Sequence, residues 1–296
     1  MEIAFGSEQG IRQSPNSDAC LSEALTSDAV FFGVADGFGA SGQERSTALN
    51  ALELVCGYLR GRRRLGIGVA DSEERLRGLL LAALDHANAR LYEAGCNTED
   101  FVGSGASVTT MLIVGRRAFV GHIGDSRAYL LRFARLEALT TDDALFADAH
   151  GGGAGIAGTL KSSLPAKPRA RSLLWRSLGT HAKLEASVAH VDLLSGDQVM
   201  LCTDGLHGCV SADEMCGVML ESEKACDVVT RLLAMMKMRG GLDNATVIVG
   251  RDLTAFNSVP ASPNEKKRFG KFLLLAAALL LFATALVIIA LYALHA

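Results

Sequence analysis

Two β-rich runs, Ser107 to Val114 and Ala118 to Ile123, are separated only by Gly115-Arg116-Arg117. So short a connection allows antiparallel pairing and nothing else, because parallel neighbours need a crossover of a dozen residues or more. A third run, Arg127 to Leu131, follows almost at once. Val30-Phe31-Phe32-Gly33-Val34-Ala35 is another apolar run and ends at Asp36-Gly37. Leu184 to Val191 alternates, Gln198 to Cys202 reads as a buried strand, and Ala245 to Val249 is the last strand of the domain. Helical spacing links Ala48, Leu52, Val55 and Leu59, then Leu76, Leu80, Ala83, Ala87 and Leu91, then Val228, Val229, Leu232, Leu233 and Met236. The strands come as neighbours, not separated one by one by helices. That pattern predicts an α+β fold with antiparallel sheets and packed helices, not a doubly wound parallel sheet.

Apolar residues make up 49% of the 296, and the excess is local. Phe272 to Leu294 is a 23-residue stretch with no charge. At about 1.5 Å per residue a helix of this length crosses a bilayer. It follows Glu265-Lys266-Lys267-Arg268-Phe269-Gly270-Lys271, a basic flank that marks the cytoplasmic side. Residues 254 to 264 carry two prolines and several small polar residues, the composition of a linker. The predicted division is a domain over 1–253, a linker and basic juxtamembrane segment over 254–271, and a transmembrane helix over 272–294. The expected location is a membrane, with a single C-terminal anchor and the domain in the cytoplasm. Met1 to Gln9 has two acidic residues and no basic one, so no cleavable signal peptide is expected there.

The net charge of −3 gives no electrostatic case for nucleic-acid binding. Arg60, Arg62, Arg63 and Arg64 read as a solvated helix end or loop. Seven cysteines, an odd number with no CxxC pair, fit reduced thiols in a cytosolic domain. Cys202, inside an apolar run, reads as buried and unreactive. Met235, Met236 and Met238 read as core packing. His150 to Arg171 holds five glycines and two prolines and reads as a long loop or flap. Its Gly151-Gly152-Gly153 is not a phosphate loop, because no Lys-Ser/Thr follows at the right distance.

Four aspartates stand where a strand leaves or enters the core beside Gly, Asn or Ser: Asp36-Gly37, Asp125-Ser126, Asp204-Gly205 and Asp243-Asn244. Singly, an Asp-Gly pair reads as a turn. Together, at converging strand ends, such carboxylates are hard oxygen ligands for Mg²⁺ or Mn²⁺, since no His or Cys shares their spacing. Two such ions about 4 Å apart bridge a water, deprotonate it and orient it for in-line attack on phosphorus.

In this order the segments resemble the metal-dependent protein phosphatases of type 2C, above all the bacterial serine/threonine type. The resemblance covers about Glu2 to Arg251. It rests on Gly10 to Ala19, Val34 to Gly39, Ser104 to Ser107, Val120 to Arg132, Leu139 to Asp142, Arg176 to Gly179, Gly196 to Leu206, and Asp243 to Thr246. It implies an αββα fold, an antiparallel β-sandwich flanked by helix pairs. It implies that Asp36 bridges two metals, that Asp204 and Asp243 complete the first site, and that the Gly37 carbonyl serves the second. Asp125 would help hold a third metal with Asp204, and Asp18 would orient metal-bound water. Two or three Mn²⁺ or Mg²⁺ ions are thus expected. Arg12, Arg127 and Asn244 are the candidate substrate contacts. The implied reaction is hydrolysis of phosphoserine or phosphothreonine in proteins, the targets of a Ser/Thr kinase, by water and without a phosphoenzyme.

The chain departs from the family pattern at Gln13, where a phosphate-gripping Arg is expected, and at Ser17, where a Glu normally ligates the second metal. Both losses imply weakened binding and catalysis. They motivate an alternative, a pseudophosphatase that binds a phosphoprotein or kinase without turnover. Glu8 is a candidate replacement for the missing carboxylate. Phe38 stands where family members carry His or Met. His122 reads as a hydrogen-bonded strand residue, His150 as a loop residue or a proton donor, and His207 as a residue behind the metal ligands. Arg127 reads equally as a phosphate contact or as one half of a structural ion pair.

Overall fold

The computed structural model describes residues 1–12, 15–39, 43–62, 66–97, 101–143 and 176–253. Ten strands form two five-stranded antiparallel sheets. One sheet holds β2 (Asp18–Ala24), β3 (Ala29–Phe38), β4 (Gly105–Val114), β5 (Arg117–Ile123) and β8 (Ser187–Asp192), paired in that order. The other runs β1 (Glu2–Glu8), β10 (Ala245–Arg251), β9 (Gln198–Cys202), β6 (Arg127–Arg132) and β7 (Arg135–Ala138). The hairpin expected around Gly115 is β4–β5, and Gly115 at its turn has φ +60°.

The helices α1 (Glu44–Arg62) and α2 (Glu73–Asn97) cover the β3 sheet, while α4 (Ala212–Glu221) and α5 (Ala225–Met238) cover the β9 sheet. The short α3 (Asp204–His207) follows β9 directly. This gives four layers and three apolar zones. Phe31 and Ala35 face α1 and α2, packing with Leu52, Val55, Leu80 and Leu84. Their neighbours Val30, Phe32 and Val34 face the other sheet, meeting Leu130, Val199, Leu201 and Ile248. Met200, Cys202, Val247 and Val249 pack against Val228, Leu232 and Met236 of α5. A strand covered on both faces needs no polar alternation, and for that reason the Val30–Ala35 run is uniformly apolar.

The antiparallel, helix-flanked architecture agrees with the sequence reading. β3 runs beyond the expected stop, through Asp36 to Phe38, so Asp36 is held by a ladder and not by a free turn. β1, β2, β7 and α4 add to the elements read from sequence. Arg60 and Arg62 lie in the last turn of α1, and Arg60 pairs with Glu23. Cys202 is buried, and all seven cysteines are free thiols. Met236 is core and Met235 packs partly against it, but Met238, the last residue of α5, is 79% exposed. The basic run's Arg63 and Arg64, the region from Leu145 to Leu174, the linker and the 272–294 stretch lie outside the described residues. Among the described residues no helix is long and apolar enough to cross a membrane.

Candidate active site

The two sheets bring their polar strand ends to one side of the sandwich. On the β3 sheet, the ladder sets Asp18 opposite Asp36, and Asp36 in turn opposite Ser107 of β4. Asp125 lies in the β5–β6 loop. Its backbone N–H donates to Ser107 Oγ at 3.0 Å, and the N–H of Ser126 donates to the same oxygen at 2.9 Å. Gly124 permits this at φ +109°, because a Cβ there would lie 2.4 Å from Ser107 Oγ. Ser107 thereby pins Asp125 beside Asp36.

The other sheet contributes Asp204, at the start of α3, and Asp243, just before β10. Thr203 Oγ1 donates to Asp18 Oδ2 at 2.7 Å and accepts from the N–H of Thr246 at 2.9 Å, tying the two sheets together at the site. The Asp204-Gly205 and Asp243-Asn244 segments are in backbone contact, since a Cβ on Gly205 would sit 1.8 Å from the Asn244 carbonyl oxygen. A hydrogen-bonded chain then crosses the cleft. The Gly10 N–H donates to Asn244 Oδ1 (3.0 Å), Asn244 Nδ2 donates to Ser17 Oγ (2.9 Å), and Ser17 Oγ donates to Asp36 Oδ1 (3.2 Å).

Asp18 and Asp125 are buried, while Asp36, Asp204 and Asp243 are half-buried at the cleft. Burial raises the Asp18 carboxyl from 3.8 to about 7, with the hydroxyls of Thr203 and Thr246 opposing the rise and the charge of Asp204 adding to it. Burial also lifts Asp36 well above the usual range, reinforced by the charges of Asp18, Asp125 and Asp243. Asp204 is raised likewise, by burial and then by Asp36, Asp125 and Asp243. Asp18, Asp36 and Asp204 therefore share one electrostatic environment, in which burial and the neighbouring negative charges oppose their ionisation. Among the described residues no three acidic, His or Cys side chains are already closed around a single point.

The remaining candidates divide. Gly37 sits where any side chain would collide with α1, a Cβ lying 1.9 Å from the Glu44 carbonyl oxygen. Asn244 makes the hydrogen bonds just described. Arg127 forms a two-pronged pair with Asp142, Nε–Oδ1 at 2.8 Å and Nη2–Oδ2 at 2.7 Å. Arg12 is exposed, with its backbone N–H on the Leu242 carbonyl at 3.3 Å. Glu8 pairs with Lys237 at 2.8 Å on the outside of the β1–β10 edge. His122 is buried on β5 between Thr109 Oγ1 (2.9 Å) and the Thr141 carbonyl (3.1 Å). His207 Nε2 lies 2.8 Å from the Asp125 carbonyl and holds that loop. Gln13 and His150 fall outside the described residues. Sequence reasoning passed over the hydroxyls of Ser107 and Thr203. Their one signal is a small polar residue at the mouth of an apolar strand.

Residues 5–248 match the family model described as protein phosphatase 2C. The serine/threonine protein phosphatase PstP of Mycobacterium tuberculosis is 32% identical over 250 residues, which is 81% of this chain and 44% of PstP. The chain thus spans less than half the length of that relative. The crystal structure of M. tuberculosis PstP/Ppp superposes with a TM-score of 0.65 at 28% identity, covering 84% of this chain and 97% of the other. The PstP catalytic domain in complex with two manganese ions gives 0.64 at 28% identity, over 84% and 96%. A shared two-sheet frame, a cluster of aspartates at its strand ends and a match over most of the domain lead to one assignment: this chain belongs to the protein phosphatase 2C family.

Proposed function

We propose that the chain is a divalent-cation-dependent protein phosphatase that hydrolyses phosphoserine and phosphothreonine in cytoplasmic proteins. The observation that carries this reading is the convergence of Asp18, Asp36, Asp125, Asp204 and Asp243 at one end of the sandwich, in mutual electrostatic contact. Their oxygens are the hard donors that suit Mn²⁺ and Mg²⁺. Asp18 Oδ1 is buried without a hydrogen-bond partner among the described residues, as an oxygen waiting for a water or a cation would be. Asp36, Asp204, Asp243 and the Gly37 carbonyl would hold two ions, and Asp125 with Asp204 a third. Bound there, the ions supply Lewis-acid stabilisation and a water acidic enough to react near neutral pH.

The chain's own groups do the rest. Ser17 and Asn244 orient Asp36 from behind. Asp18, fixed through Oδ2 by Thr203 and opposite Asp36 on the ladder, is placed to orient a water and take its proton. As the water oxygen bonds to phosphorus, the ester oxygen of the substrate leaves and collects a proton, and no enzyme group is phosphorylated.

The test is hydrolysis of a phosphothreonine peptide by the detergent-solubilised chain. Turnover is expected only with Mn²⁺ or Mg²⁺, and Asp204→Asn is expected to remove it. One observation favours a pseudophosphatase instead: Ser17 offers a hydroxyl that already donates to Asp36, not a free carboxylate. If the wild type shows no turnover and Ser17→Glu creates it, that second reading holds.

We infer further that residues 272–294 hold the domain at a membrane, where its partners are the targets of a Ser/Thr kinase. The support is compositional: an uncharged span behind a basic flank. The chain is expected to sediment with membranes after carbonate washing and to become soluble when residues 257–296 are deleted. Release of the full chain by carbonate would remove the anchor from the account.

A further inference from the structure

Ile11 is 77% exposed and Leu242 is 48% exposed, and the segments that carry them are hydrogen-bonded to each other. The N–H of Ile11 donates to the Gly241 carbonyl at 2.8 Å, and that of Arg12 to the Leu242 carbonyl at 3.3 Å. Scattered single exposed apolar residues are ordinary on a protein surface. Two large ones on hydrogen-bonded segments beside Asp243 are a different matter. Leu242 directly precedes Asp243. A Cβ on Gly10, the residue before Ile11, would lie 2.3 Å from the Asp243 carbonyl carbon. Each of the two apolar residues is thus one position away from backbone that carries or touches a metal-ligand candidate. The exposed Arg12 adds a cation to the same segment, matched to a phosphorylated partner.

We propose that Ile11 and Leu242 form an apolar shelf that receives an apolar side chain of the phosphoprotein, two or three residues from the phosphorylated Ser or Thr. The proposal rests on the phosphatase-family reading of the carboxylate cleft as the place where the phosphate enters. Continuity with that cleft decides the occupant. An extended peptide advances about 3.3 Å per residue, so a residue two or three positions from the phosphoresidue lies roughly 7–10 Å away. The segments of Ile11 and Leu242, which adjoin Asp243 through backbone, offer such a residue an apolar contact. A leucine-sized side chain there leaves water together with Ile11 and Leu242, and a serine gains nothing from the same contact.

Binding tests this with or without turnover. Fluorescent peptides carry a non-hydrolysable phosphonate analogue of phosphoserine, flanked within three residues by Leu or, in the control, by Ser. Fluorescence anisotropy with the full chain in detergent and Mn²⁺ is expected to show a five- to tenfold preference for the Leu peptides at one flank. Ile11→Ser and Leu242→Ser are each expected to cut that preference to twofold or less, and Ile11→Met to restore most of it. Equal affinity of the wild type for Leu and Ser peptides overturns the proposal. So does a fall in melting temperature in both Ser variants, which marks a patch packed on another segment of this chain. Hydrolysis of para-nitrophenyl phosphate, which has no flanking residues, is measured separately. Its absence counts against the phosphatase reading and leaves the binding preference as the measure of the shelf.

Discussion

Asp36→Asn is expected to lower turnover of a phosphothreonine peptide by about a thousandfold or more, while the metal-free protein melts at the same temperature or higher. The two effects have opposite signs because the Asp36 charge, which the proposed site uses to hold an ion, opposes folding in the ion's absence. It stands opposite Asp18 on the β2–β3 ladder, in the field of Asp125 and Asp243, and burial with these charges holds its proton on well above the usual range. Asparagine keeps the shape and can still accept the hydrogen bond from Ser17 Oγ, but it removes the like-charge repulsion. With Asp36 proposed as a metal ligand, its loss is expected to fall on the chemical step, where removal of a central catalytic group costs factors of this size. Steady-state kinetics and thermal melts in chelator read the two effects. A melting temperature lower by ten degrees would make Asp36 a structural residue and sink the assignment.

The same physics sets a pH dependence. A carboxyl whose pKa is raised on folding binds a proton in the native state that the unfolded chain has released. The contribution of these groups to metal-free stability is therefore full below about pH 4 and is lost as pH rises toward 7, the window defined by Asp18, with Asp36 and Asp204 acting in the same direction. A divalent cation takes the place of those protons. At a hundredfold excess over its Kd it stabilises by about 2.7 kcal/mol, or roughly 5–10 °C for a domain of this size. The Mn²⁺-induced rise in melting temperature should thus be larger at pH 8 than at pH 5.5, and largely absent in Asp36→Asn. A rise independent of both pH and Asp36 would mean that the ion binds elsewhere.

Gly205→Ala is expected to destabilise the fold by about 3 kcal/mol or more, beyond the usual cost of overpacking. The new Cβ would lie 1.8 Å from the Asn244 carbonyl oxygen and 2.8 Å from its carbon. Both atoms are backbone, so no rotamer change relieves the contact. The Asp204 and Asp243 segments must separate, and the melt should fall by roughly 6–12 °C while the Mn²⁺ response shrinks. Gly78→Ala is the control. It lies on the exposed face of α2 with nothing within 4 Å of its Cβ, and alanine there should be neutral or stabilising. An unchanged melt for Gly205→Ala would show that the two segments do not touch in solution.

The legible parts of the fold are those whose faces are covered. The helical spacing of Leu76, Leu80, Ala83, Ala87 and Leu91 lies wholly on the buried side of α2, and Gln198–Cys202 coincides with β9. The strands that escaped notice are weakly patterned. β1, β2 and β7 lie at sheet edges and expose part of their length, Phe5 of β1 being 60% exposed. α4 carried a readable signal in Ser211 and Glu214, a capping box that the structure completes. At the site, Asp36, Asp125, Asp204 and Asp243 were legible because a carboxylate next to Gly or Asn at a strand end stands out from the apolar runs around it, whereas Asp18, between Ser17 and Ala19, was marked only by the family resemblance.

The amino-acid order alone determined which segments pair as hairpins, which faces are apolar and which carboxylates are available, since each depends on residues close together in the chain. What the tertiary structure decided is how those carboxylates are held. Thr203 reaches Asp18 across 185 positions, Asn244 reaches Ser17 across 227, and Gly205 meets Asn244 through backbone alone. Contacts between segments so far apart leave no periodicity behind. They exist only once two sheets have stacked and brought their strand ends to a common side.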